Sequence, residues 1–145
     1  MLAENAFIKL VPSSAKQSIT VDEVKDLLYY YKDITEKTGN QVDWQYGDSA
    51  FPYVIKEKDD GKGKWFYLHS TNERYYAILI GVDQESIRNE DGTDRIQSYI
   101  QVTLPEQSTF GDKGKANEFC KFLAKKFQGE LHLFNERIMY YYPRK

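Results

Sequence analysis

The chain is expected to fold as a single α+β domain, with a mostly antiparallel, twisted sheet and two amphipathic helices. Three observations predict this. Short runs of alternating apolar and polar residues recur along the chain, as in strands with one buried face. Two longer segments carry apolar residues at helical spacing, between cap and stop residues. Most of the strand-like runs follow one another through short turns, with the helices set apart, which favours α+β over an alternating parallel fold. The expected order is β-α-β-β-β-β-α-β-β. At 145 residues the chain is most simply one domain, 1–145, able to bury roughly two-thirds of its unfolded surface without disulfide or metal.

The first strand is expected over Asn5 to Val11, ended by Pro12 and the polar Ser13-Ser14. A helix follows. Thr20 can cap it, with Glu23 three residues on to complete a capping box, and Ile19 and Val24 stand at the staple positions. Val21, Val24, Leu28, Tyr31 and Thr35 share its core face, flanked by Leu27 and Ile34. Gly39 is the expected stop.

Gln41 to Ala50 reads as a loop or weak strand. Phe51 to Glu57 and Trp65 to Ser70 read as paired strands around the turn composition of Asp59-Asp60-Gly61-Lys62-Gly63. Arg74 to Asp83 is apolar at both parities, as in a central strand covered at least partly on both faces. Gln84 to Asp94 is expected to be a polar loop. In Ile96 to Leu104, the residues Ile96, Ile100, Val102 and Leu104 are expected inside, with Gln97, Tyr99, Gln101 and Thr103 outside. The second helix is expected from about Asp112 to Gln128, with Ala116, Phe119, Cys120, Leu123, Ala124 and Phe127 in its core stripe and Gly129 as its stop. Glu130 to Phe134 and Arg137 to Tyr142 close the sheet around an Asn135-Glu136 turn.

Composition excludes several function classes. The formal net charge of −2 argues against a surface that coats duplex DNA, which needs clustered Lys and Arg. No apolar run reaches the roughly 20 residues of a membrane span, and Glu4 and Lys9 interrupt the N-terminal apolar run, so no secretory signal is expected there. One cysteine cannot form an internal bridge, so a reducing, cytoplasmic setting is expected. The unusual quantity is an aromatic content of 15%, with twelve tyrosines. Tyrosine suits half-buried sites, so an aromatic-rich sheet that serves either packing or binding is expected.

Candidate sites are few. The stretch from Thr109 to Ala116 approaches a phosphate-binding loop but lacks its first glycine and its metal-binding hydroxyl. It leaves Lys113 and Lys115 near the positive end of the second helix, as a weak anion site or simply solvated cations. His69 and His132 are the only histidines and are weak acid/base candidates; ordinary sheet histidines with satisfied hydrogen bonds are the plainer reading. No ligand spacing for zinc or calcium is present, so no metal or other cofactor is expected. Arg74 to Gly81 only brushes an RNA-recognition signature, because Tyr75, Ile78 and Gly81 stand where other residue types belong. Cys120 lies on the core stripe and reads as a small hydrophobe. Phe122 and Tyr30 fall off their helices' core stripes and are interface candidates.

The phrases N-A-F-I-K-L-V-P-S-S from Asn5, G-D-K-G-K-A-N-E-F-C-K-F-L-A-K from Gly111, and G-E-L-H-L-F-N from Gly129 resemble a small uncharacterised family of Gram-positive bacilli, the domain of unknown function 1885. The resemblance covers nearly the whole chain. It implies a stand-alone single-domain protein and brings no activity, ligand or site residues. The leading expectation is therefore a non-enzymatic binding or regulatory module with a protein or small-molecule partner, a homodimer being one form. The alternative is a small enzyme with an aromatic pocket and a histidine as acid or base.

Overall fold

The computed structural model of the protein describes residues 3–42, 51–57, 64–70 and 72–143. Its elements are β1 (Glu4–Lys9), α1 (Val21–Val42), β2 (Val54–Glu57), β3 (Trp65–His69), β4 (Ala77–Arg88), β5 (Asp94–Leu104), α2 (Phe110–Phe127), β6 (Glu130–His132) and β7 (Ile138–Tyr140). The strands form one open sheet in the order β2-β3-β4-β5-β1-β6-β7, each neighbouring pair antiparallel. This is the α+β architecture and element order that the periodicities predict.

One face of the sheet and the two helices share a single core. The inward positions are Ala6 and Ile8 on β1, Phe66 and Leu68 on β3, Ile78 and Ile80 on β4, Ile100, Val102 and Leu104 on β5, and Leu131 on β6. They meet Val21, Val24 and Leu28 of α1 and the whole expected stripe of α2. Full burial of a side chain such as Leu28 or Leu123 stabilises the fold by about 1.5–3 kcal/mol. The start of α1 forms as its sequence directs. The Glu23 N–H donates to Thr20 Oγ1 at 3.2 Å, and the Thr20 N–H donates to Glu23 Oε1 at 3.2 Å, while Ile19 and Val24 are both buried.

Several boundaries differ from expectation, each for a physical reason. Helix α1 does not stop at Gly39 but continues to Val42; one interior glycine costs only about 1 kcal/mol of helix propensity. The stretch Gln84 to Asp94 is no loop. Strands β4 and β5 extend as a ladder from Leu79↔Thr103 to Arg88↔Asp94, and only Asn89 to Thr93 turn, with Gly92 at φ 89°. A polar run marks here a hairpin arm with both faces wet, not an absence of strand. For the same reason Ile96 is 58% exposed: its parity is inward, but the arm reaches past the helices. Gln97 is buried instead, its Nε2 donating to the Leu10 carbonyl at 3.1 Å.

Helix α2 begins earlier than Asp112 and is capped by Thr109, with reciprocal Thr109–Asp112 bonds. At its end the left-handed residue is Gln128, at φ 54°, not Gly129. Gly129 serves close approach, since a Cβ there would sit 3.0 Å from Ile8 Cγ2 and from the Lys9 carbonyl. The closing turn holds as expected, with Glu136 at φ 69° and the Leu133 N–H bonded to the Arg137 carbonyl. Of the stretch 41–50, expected as a loop or weak strand, Gln41 and Val42 belong to α1; the rest of it and the turn at 59–63 lie outside the described residues.

Candidate functional site

Strand alternation sends every second residue to the face of the sheet opposite the helices. Direct cross-strand partners share a face, so the register defines rows across it. One row reads Trp65, Gly81, Gln101, Phe7, His132, Ile138 over six strands. The next row on one side reads Lys56, Tyr67, Leu79, Thr103, Asn5. On the other side stand Asp83, Tyr99, Lys9, Glu130, Tyr140. Most of these side chains are half-buried or exposed. The partial cover expected over both sides of β4 comes, on this side, from aromatic side chains of the sheet itself. The indole of Trp65 lies across Gly81, where a Cβ would fall 2.5 Å from the ring.

The centre of this face is concave. Phe7 and Tyr99 meet edge to face at 5.8 Å between ring centroids. With Lys9, Glu85 and Gln101 they line a hollow of about 340 Å³. Lys9 Nζ stands 3.7 Å from Glu85 Oε1. The Tyr99 phenol is pushed above its ordinary value, first by partial burial and then by the carboxylates of Asp83 and Glu85. Beside the hollow, Gln101 Nε2 and Thr103 Oγ1 both donate to Asn5 Oδ1, at 3.0 and 2.7 Å.

Both histidines lie on this same face. His69 is edge to face with Tyr67 at 6.4 Å and with Tyr76 at 6.5 Å. His132 Nε2 is 2.7 Å from Glu130 Oε1, and the Tyr142 hydroxyl donates to Glu130 Oε2 at 3.4 Å. They stand apart, His132 on β6 and His69 on β3.

The other sequence candidates fall elsewhere. Lys113 Nζ is 3.4 Å from Glu4 Oε2, beside a hollow at the start of α2. Lys115 pairs with Glu118 at 3.1 Å, one turn along its own helix. Tyr30 and Phe122 do come together, with Lys126 Nζ 5.2 Å from the Tyr30 ring and 5.7 Å from the Phe122 ring. Phe122 is half-buried against Tyr31, at 5.0 Å between centroids. Cys120 is fully buried, and burial pushes its thiol up to about 12. In the acidic arm, Asp91 accepts from the Thr93 N–H at 2.9 Å, and Arg88 pairs with Asp94. Among the described residues no group of three or more His, Cys, Asp or Glu could hold a metal ion, and no helix is long and apolar enough to cross a membrane.

The residue that periodicity missed is Asp112, which is fully buried. It accepts from the Tyr53 hydroxyl at 2.5 Å, from the Tyr76 N–H at 2.9 Å and from the Thr109 N–H at 3.0 Å. One carboxylate thus ties the start of α2 to the segments entering β2 and β4. Its signal was the T-x-x-D spacing from Thr109, a capping box. The Tyr53 phenol is pushed far above its ordinary value, chiefly by burial and then by its bond to Asp112.

Comparison with known proteins agrees with this fold and adds no chemistry. The model of a protein family described as "Domain of unknown function (DUF1885)" matches residues 4–143. A solved structure, the crystal structure of a protein of unknown function from Bacillus stearothermophilus, is 38% identical. The match covers 87% of this chain and 91% of that one, with a TM-score of 0.53. Among curated proteins none matches.

Proposed function

The chain belongs to the family described as a domain of unknown function, DUF1885, and from that premise we propose that it is a non-enzymatic binding module whose working surface is the helix-free face of the sheet. The observation that carries this is the row Trp65–Gly81–Gln101–Phe7–His132–Ile138. In this row Trp65 and Phe7 stand with the polar Gln101 and His132 on the side away from the helices. Aromatic side chains that keep a polar tip are the usual anchors of protein interfaces.

The charges on this face are mixed, Lys9 and Lys56 against Asp83, Glu85 and Glu130. A nucleic-acid backbone calls for an excess of cations, so the mixed charge supports a protein partner over a nucleic acid. A histidine enzyme has less support. His132 is oriented by Glu130, as a general base would be, but neither histidine lines the hollow at Phe7 or the hollow at Lys113.

The test is a photo-crosslinking residue placed at Tyr67, at Tyr99, or at Tyr29, which is 52% exposed on α1. In cells that make the protein, the two sheet positions are expected to trap a defined protein that the helix position does not. Equal trapping from all three, or none from the sheet positions, would overturn the proposal.

A further inference from the structure

We propose that the hollow at the start of α2 binds a free α-amino acid with an apolar side chain. The hollow measures about 310 Å³, at the small end of ligand pockets, which run from roughly 300 to 1,000 Å³. It lies on the helix-covered side of the sheet, where the first residue of β1 and the last of β5 meet the first turn of α2. This site is separate from the open face.

Three observations converge on the ligand class. The first is a pair of opposite charges at the mouth. Glu4 and Lys113 stand 3.4 Å apart, with side chains 40% and 44% exposed. That is looser than a charge-assisted hydrogen bond at about 2.7–2.9 Å, and an exposed pair of this kind contributes little to stability. It can therefore part to accept a ligand. A carboxylate fits Lys113, and an ammonium fits Glu4. Two such anchors so close together suit charges carried on one carbon. A peptide end offers only one of the two.

The second observation is the apolar lining. Leu104 and Pro105 form one wall, and Phe110 is 93% exposed beside them. A large ring in water next to a hollow gains from an apolar ligand laid against it. The third is Ser108. Ser108 is one of the residues around the hollow, and its hydroxyl, shielded from solvent, has no hydrogen-bond partner among the described residues. Buried polar groups are almost always satisfied, and a ligand carboxylate would accept from this one once the side chain turns toward the hollow.

The experiment is a nuclear magnetic resonance titration of the full chain with L-leucine and with L-phenylalanine to millimolar concentration. Saturable shifts are expected at the amides of Ser108, Phe110 and Lys113. Isopentylamine and 4-methylpentanoate, which each lack one charge, are expected to bind about tenfold more weakly or worse, as loss of one charge-assisted bond implies. Glu4→Gln and Lys113→Met should each weaken leucine by a similar factor while the core signals of Phe119 stay in place. No saturable shift with either amino acid would overturn the proposal. So would equal binding of the amine or the acid alone, unchanged affinity in both variants, or tighter binding of Leu-Gly or Gly-Leu than of leucine. None of these outcomes bears on crosslinking from the open face.

Discussion

The two faces of one sheet are built from the same strands, yet they follow different rules. On β1, Ile8 is fully buried while Phe7, its chain neighbour, is half wet. On β5, Ile100 and Val102 are buried while Tyr99 and Gln101 are not. The inner face is mostly branched and aliphatic, packed against the two helices. The outer face is aromatic and amide-bearing, with rings that lean on each other and on a bare glycine. The contrast separates side chains that pack against the helices from side chains on the side of the sheet that the helices leave uncovered.

Three measurements can break or sharpen that contrast. The largest effect belongs to Phe119→Ala. Phe119 is fully buried and its ring meets those of Tyr31, Phe51 and Tyr53 at 5.4, 5.3 and 6.1 Å. Its loss should cost about 3–5 kcal/mol, read as a lower urea midpoint. An unchanged midpoint would mean that the helix-covered face is not the core.

A second effect is small at neutral pH and grows with alkalinity. The Cys120 thiol moves from an ordinary 9.0 to about 12 on folding, and the Tyr53 phenol moves upward too. Both groups stay neutral in the fold and ionise more easily in the unfolded chain. Their contribution is therefore complete below about pH 9 and is lost as pH rises toward about 12. Urea midpoints should fall across that window, and Cys120→Ala should flatten part of the fall. A midpoint independent of alkaline pH would contradict their burial.

The smallest effect is expected on the open face. Gly81→Ala must push the Trp65 indole off the sheet, because its ring occupies the Cβ position. Stability should change by only about 1 kcal/mol, while Trp65 fluorescence shifts toward that of an indole in water. A large loss of stability without a spectral change would place Gly81 with the core instead.

Much of this architecture was legible because its signals are local. The Thr20–Glu23 box, the 3.6-residue stripe from Ala116 to Phe127 and the alternation through Ile100 to Leu104 each encode an element in neighbouring residues, so element order followed from them. Boundaries were less legible where the reading relied on one residue type. Glycine at position 39 did not end a helix, and polar residues after Asp83 did not end a strand, because a helix tolerates one poor residue and a hairpin arm needs no dry face. The candidate sites were partly visible as types: His69, His132, Tyr99 and Lys113 could be named but not placed together.

The chain by itself therefore determined which residues pair with the core, through periods of two and 3.6 that depend on backbone geometry alone. Only the tertiary structure decided which strand lies beside which. That choice laid Trp65 over Gly81, set Phe7 against Tyr99 across 92 residues of sequence, brought Glu4 to Lys113 and closed Asp112 around Tyr53. Such contacts join residues far apart in the chain, and their register is set by the packing of the whole sheet against its two helices.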